Sequence, residues 1–150
     1  MADIDSKTCS EENAGAVPGA IYLNLPVADL GRSRRFFEAL GYRFNEPFSN
    51  DEVACLILSD QIRAMLHLPA SLKRFTKKDI ADAHSATEVL LALQLDSRAA
   101  VDALMDRALA AGAAEPRAPE EHGYMYGRTF EDPDGHIWEA FWMDPAHSPR

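Results

Sequence analysis

The chain predicts an α+β fold: two β-α-β-β-β modules in tandem, whose mixed, curved sheets enclose a cleft. Three observations carry that expectation. A strand pattern followed by a capped helix pattern occurs twice, over 20–41 and again over 88–112. Each helix pattern is followed by three short apolar segments separated by turn residues. The length, 150 residues at 47% hydrophobic, suits one globular domain that buries roughly 70% of its unfolded surface.

Residues 20–27 alternate as a strand, and Asp29 then stands where a helix N-cap belongs. Leu30, Phe36, Phe37 and Leu40 give the following helix its apolar stripe, and Gly41 stops it. Strands are expected near 42–48, 52–58 and 62–68, with turns at Ser49-Asn50-Asp51 and Ser59-Asp60. The second module repeats the order. Residues 88–95 form a strand, Asp96 or Ser97 caps a helix through Val101, Leu104, Met105, Ala108 and Leu109, and Gly112 ends it. Strands follow near 114–118, 124–131 and 136–143. Val27 thus corresponds to Leu95, and the Ser59-Asp60 turn to Asp134-Gly135. The modules span 19–68 and 87–144. The connection 69–86 is long for a structureless loop, so a short helix is expected within it. Residues 1–18 read as a disordered tail.

Charge narrows the function. A net charge of −9 and a pI near 4.9 exclude a nucleic-acid or anionic-membrane surface, because binding phosphates needs a concentrated positive footprint. The basic groups Arg32, Arg34, Arg35 and Lys73, Arg74, Lys77, Lys78 sit among acids as solvated faces. Cys9 and Cys55 form neither a disulfide framework nor a metal-binding pair, which fits a reducing cytoplasm. The acidic leader is no secretory signal, and no run is apolar for the roughly 18 residues a membrane span needs. A soluble cytoplasmic protein is expected.

One side chain stands out. In the last strand Ile137, Glu139, Phe141 and Met143 share a face, while His136, Trp138, Ala140 and Trp142 share the other. A carboxylate amid apolar neighbours is costly to bury unless a metal, a cation or a substrate meets it, which makes Glu139 the candidate catalytic or ligand-facing residue. The tryptophans are expected to pack against a helix. If the Asp132–Gly135 turn has two central residues, Pro133 and Asp134, then Arg128 lies directly opposite Glu139. A three-residue turn opposes Thr129 instead. With the first register the cleft holds an Arg128–Glu139 pair, ligand-binding polar groups Tyr22, Asn24 and Gln94, and apolar walls of Leu90, Ile137, Phe141 and Met143.

The paired β-α-β-β-β plan, with Leu25-Pro26-Val27-Ala28-Asp29-Leu30 near the start and Asp132-Pro133-Asp134-Gly135-His136-Ile137-Trp138-Glu139 near the end, resembles the vicinal oxygen chelate superfamily. That superfamily contains glyoxalase I, bleomycin-resistance proteins and extradiol dioxygenases, and the resemblance covers about 19–144. It implies a cleft in which metal-dependent members hold a divalent ion from the first and last strands of each module. Carried onto this chain, those positions fall on Tyr22, on Ala64 (or Leu66 in a register slipped by two), on Leu90 and on Glu139. Only Glu139 is a ligand type, whereas a catalytic metal generally needs about three protein ligands. His67 and His136 are expected on the faces opposite Ala64 and Glu139, and His84, His122 and His147 in connections or the tail. A relocated site joining His84 or His122 to Glu139 stays open.

The reading that follows is a small-molecule-binding protein of the glyoxalase/bleomycin-resistance type, with no cofactor and no metal site. The alternative is a metal-dependent glyoxalase-like lyase, isomerase or dioxygenase. A third is a regulatory module whose cleft is filled by large side chains. A homodimer is expected, with Phe75 and Ile80 of the connection offering apolar contact surface.

Overall fold

The computed structural model describes residues 14–147. Cys9 and most of the expected N-terminal tail lie outside the described residues. The first module comprises β1 (Ile21–Pro26), α1 (Leu30–Ala39), β2 (Arg43–Asn45), β3 (Val53–Ile57) and β4 (Ile62–His67). A short helix, α2 (Pro69–Leu72), and a 3-10 turn (Lys73–Phe75) begin the connection. The second module comprises β5 (Leu90–Gln94), α3 (Arg98–Ala110), β6 (Glu120–Glu121), β7 (Met125–Glu131) and β8 (Ile137–Met143). The two sheets run β1-β4-β3-β2 and β5-β8-β7-β6, with the β1–β4 and β5–β8 pairs parallel and the others antiparallel. The duplicated plan is therefore the fold.

Local chemistry accounts for the element ends. Asp29 caps α1 by accepting from Arg32 N, and Ser97 rather than Asp96 caps α3 by accepting from Ala100 N. Gly41 and Gly112 follow the helices at φ 100° and 97°, in the left-handed region that glycine enters without a Cβ penalty. Two strand expectations are corrected. The segment expected at 42–48 keeps strand geometry only to Asn45, because Pro47 sits in a 3-10 turn, Glu46–Phe48. The strand expected at 114–118 contributes only a single bridge, Ala114 to Glu131, since Pro116 and Pro119 cannot donate to a ladder; the edge strand forms at Glu120–Glu121 instead.

One core spans both modules. Phe36, Phe37 and Leu40 of the first helix region join Val101, Leu104, Met105 and Ala108 of α3, with Leu25, Leu56, Leu66, Phe130 and Trp138 from the sheets. Phe37 meets Trp138 edge-on at 5.5 Å between centroids, and Phe36 lies 6.1 Å from Phe130. The first module's helix is thus packed on the second module's last strands. Trp138 is completely buried, as expected of a helix-facing ring, while Trp142 is half-buried with the Arg98 guanidinium 5.0 Å above it.

The Asp-Pro-Asp-Gly-His segment is a clamp between the modules. Asp132, buried, accepts from Asp134 N and His136 N with one oxygen and from Trp138 Nε1 with the other. Burial pushes its carboxyl above the usual range, against the opposing pull of His136 and of these hydrogen bonds. Asp134 reaches across to the first module, accepting from Ala28 N at 2.8 Å and pairing with Arg32 Nη2 at 2.9 Å. His136 Nε2 donates to the Pro26 carbonyl at 2.6 Å. No helix among the described residues is long and apolar enough to cross a membrane.

Candidate functional site

Each sheet turns one face to the helices and leaves the other open. In the second module the open face carries Leu90, Ala92 and Gln94 from β5 opposite Ile137, Glu139 and Phe141 from β8. From β7 it carries Met125, Gly127 and Thr129, opposite Met143, Phe141 and Glu139. Glu139 lies on that open face, as its alternation requires. Its side chain is 28% exposed, in a recess of about 240 Å³ floored by Ala92, Thr129 and Phe141. Arg117 and Glu120 form the rim, joined to each other at 2.5 Å, and Arg117 Nη1 lies 4.0 Å from Glu139 Oε1.

The expected Arg128–Glu139 pair does not form. The β7–β8 turn is the three-residue kind: Asp132 N donates to the His136 carbonyl, and Gly135 occupies the left-handed position at φ 85°. That one extra residue opposes Glu139 to Thr129 and Arg128 to Ala140, moving Arg128 to the helix side. There it makes a bidentate pair with Glu115, at 2.9 and 3.0 Å, and reaches Asp102 at 2.9 Å. Tyr126 donates to the same Asp102 oxygen at 2.6 Å. The hydrogen bonds of Glu115 raise the Arg128 pKa, and those of Tyr126 and Arg128 lower that of Asp102. Arg128 therefore spends its guanidinium on Glu115 and Asp102 rather than on Glu139, although the residue still borders the Glu139 recess.

A second correction concerns the first module. Ala64 and Leu66 do not line the open face; paired with Leu23 and Leu25, they are fully buried against the core. The open-face residues of β4 are Arg63, Met65 and His67, beside Tyr22, Asn24 and Pro26. Since Asn24 pairs with Met65 as Ala92 pairs with Glu139, the fourth-strand counterpart of Glu139 is Met65. The strand positions then hold Tyr22, Met65, Leu90 and Glu139, a donor set that does not fit a divalent ion, since only one is a carboxylate or imidazole. Among the described residues no cluster of three or more His, Cys, Asp or Glu could hold a metal.

His67 faces away from Ala64 as its alternation requires, but because Ala64 is the core-facing residue this puts His67 on the other side of β4 from the core, beside Met65. The His67 Nε2 donates to Asn24 Oδ1 at 2.8 Å, so Nδ1 accepts the Ser71 hydroxyl at 2.9 Å. Burial holds its pKa below the usual histidine value. The strand pairing was the missing signal, since Ile62-Arg63-Ala64-Met65-Leu66-His67 has apolar residues in both phases. Tyr22, Asn24 and Gln94, although on open faces and exposed, do not gather around Glu139. Asn24 lines a different and larger cavity of about 590 Å³, between β1, the connection and the starts of β5 and β8. Tyr22 and Gln94 line neither concavity. His84 and His122, the alternative metal donors, do not line the Glu139 recess either.

Comparison with known proteins bears on the fold. Residues 20–58 match the model of the bleomycin resistance protein-like N-terminal family. Among solved structures, a hypothetical protein from S. aureus superposes with a TM-score of 0.72 at 24% identity, over 85% of this chain and 95% of that one. A glyoxalase-related enzyme from Fulvimarina pelagi gives 0.69 at 25% identity, over 85% and 87%. The bleomycin resistance determinant encoded on transposon Tn5 gives 0.58 at 20%, over 82% and 96%. A comparison with curated proteins returned no match.

Proposed function

We propose that this chain, which carries the fold of the vicinal oxygen chelate superfamily, is a cytoplasmic small-molecule-binding protein of the bleomycin-resistance type that acts without a metal. The ligand class follows from the recess: a molecule presenting an ammonium or guanidinium group to Glu139. The observation that carries this reading is the setting of that carboxylate. It lies on an open, largely apolar face beside the Phe141 ring, and a guanidinium of its own chain, Arg117, already approaches to 4.0 Å. A carboxylate next to an aromatic ring suits a cation, which gains a charge-assisted hydrogen bond at one side and a π face at the other. The net charge of −9 favours the approach of such a ligand. Neither concavity is filled by large side chains, which disfavours a collapsed interaction module. The acting form is taken to be a homodimer, because Ile21, Tyr22, Leu90 and Phe75 leave more than half of their surface uncovered.

Glu139 would receive the ligand's cation, Thr129 and Phe141 would shape the floor, and Arg117 would swing aside while keeping its bond to Glu120. Titration calorimetry with bleomycin as the cationic probe tests this. Wild type is expected to bind, and Glu139→Gln to lose at least about tenfold in affinity, the effect of one hydrogen bond to a charged group. Equal binding by both proteins would remove Glu139 from the site. In the same series, Ni²⁺, Zn²⁺, Mn²⁺ and Fe²⁺ are expected to leave Tm unchanged, since only a ligand of the folded state raises it. A stoichiometric metal held through Glu139 would favour the lyase or dioxygenase alternative instead.

A further inference from the structure

The connection between the modules is fastened at both ends and loose between them. At its start, Ser71 donates to His67, Phe75 lies 5.7 Å from the same imidazole, and Arg74 pairs with Glu52 at 2.8 Å. At its far end, Asp82 closes a turn by accepting from His84 N with its side chain and from Ser85 N and Ala86 N with its carbonyl. That turn rests on Gly135, where a Cβ would come within 2.7 Å of His84 N and 2.9 Å of the Ala83 carbonyl carbon. Gly135 therefore serves two purposes, the left-handed turn and the seat of the strap. Between the fastenings, the hydrogen bonds of 76–81 stay within the connection: Lys78 N to Thr76 Oγ1, and Lys73 Nζ to the carbonyls of Lys77 and Lys78.

Beneath this strap lies the 590 Å³ cavity, walled by Pro26, Leu90 and Ile137 on one side and by Ile80, Ala83 and Ala86 on the other. Its volume is in the range of small-molecule sites and far above the voids of ordinary packing. The alanines on the strap leave the space open. Its polar end is set by a relay. Because Asn24 Oδ1 accepts from His67, the amide must offer its NH₂ group, of which one hydrogen makes a long contact with the Tyr22 carbonyl at 3.4 Å. The other has no partner among the described residues. Lys78 lines the same cavity, and its ammonium makes no ion pair among the described residues.

We propose that the strapped cavity is a second ligand site, separate from the Glu139 recess, for an elongated apolar molecule ending in a single carboxylate. Asn24 Nδ2 and Lys78 Nζ supply the donors for the head group. The apolar walls take the tail. Asp79, which leans to Lys73 at 3.8 Å, and Glu88 also line the opening and disfavour a second negative charge on the ligand. His67 is a positioning residue, fixing which end of the Asn24 amide is presented.

Calorimetry on the full chain with decanoate below its micelle concentration, and with decylammonium and decanol for comparison, tests the proposal. Decanoate is expected to bind with one site per chain, decanol more weakly and decylammonium not measurably. Asn24→Ala, at an exposed side chain, should weaken decanoate by about tenfold or more, the scale of a hydrogen bond to a charged group. Ala86→Phe should abolish binding by filling the space, and Glu139→Gln should leave it unchanged, so that this site and the recess fail or succeed separately. Absence of decanoate binding would overturn the proposal. So would equal binding of decylammonium, an unaltered affinity in both Asn24→Ala and Ala86→Phe, or loss of binding in Glu139→Gln.

Discussion

Asp134→Ala should loosen the modules from each other, and its size can be worked from the contacts. The carboxylate accepts from Ala28 N at 2.8 Å and Arg32 Nη2 at 2.9 Å, with a long contact from Ser33 Oγ at 3.4 Å, and its side chain is only 10% exposed. Removing it loses a hydrogen bond from the exposed Ala28 amide to a charged group, a contribution of at most about 1.5–3 kcal/mol. The ion pair adds about 1 kcal/mol or less, because the Arg32 side chain is 43% exposed and solvent screens it. The sum is at most about 1.5–4 kcal/mol, or a fall in Tm of roughly 3–16 °C for a domain of this size. Urea and thermal unfolding followed by circular dichroism measure it. Asp134→Asn, which keeps an oxygen for Ala28 N and loses only the charge, should cost less than half as much. If Asp134→Ala unfolded within about 0.5 kcal/mol of wild type, the usual scatter of surface changes, the clamp would have no energetic meaning.

Arg128→Met should destabilise the fold, since it strands Asp102 and Glu115, but leave bleomycin affinity unaltered; a loss of affinity at unchanged stability would make the Arg128 guanidinium a ligand-binding group of the recess it borders. For His67 the folded-state pKa is depressed, so below its unfolded value near 6.5 the unfolded chain binds a proton that the native one resists. Stability should therefore be full above pH 6.5 and decline as pH falls from there toward the lower folded value. His67→Gln should flatten that slope in denaturant unfolding between pH 5 and 7, and an unchanged slope would refute the assignment. The homodimer predicts a doubled mass by light scattering across a concentration series; a monomer mass throughout would remove it.

The fold was legible because duplication supplied an internal check: Asp29 and Ser97 before apolar stripes, with Gly41 and Gly112 after them, mark equivalent helices. The open face of β8 was equally legible, since Glu139 interrupts an otherwise regular apolar alternation. What neighbours Glu139 was not. It depends on whether Asp132–His136 turns with two or three residues, and a Pro-Asp-Gly sequence permits both, while the difference carries Arg128 to the opposite face. In β4, Ala64 and Met65 are both apolar, so only pairing with β1 decides which one is buried. Arg117, placed at the recess rim by a segment that was expected to be a strand, had no signal of its own beyond its charge.

The central claim, that Glu139 on the open face of the second module receives a cationic ligand, is tested most directly by mapping amide chemical shifts of the ¹⁵N-labelled chain during titration with bleomycin. The account predicts that the largest shifts fall on Ala92, Gly127, Thr129, Glu139 and Phe141, which line the recess, with saturation lost in Glu139→Gln. Shifts confined to Asp102, Met105 and Tyr126 on the helix side, or a spectrum unmoved at saturating bleomycin, would contradict it.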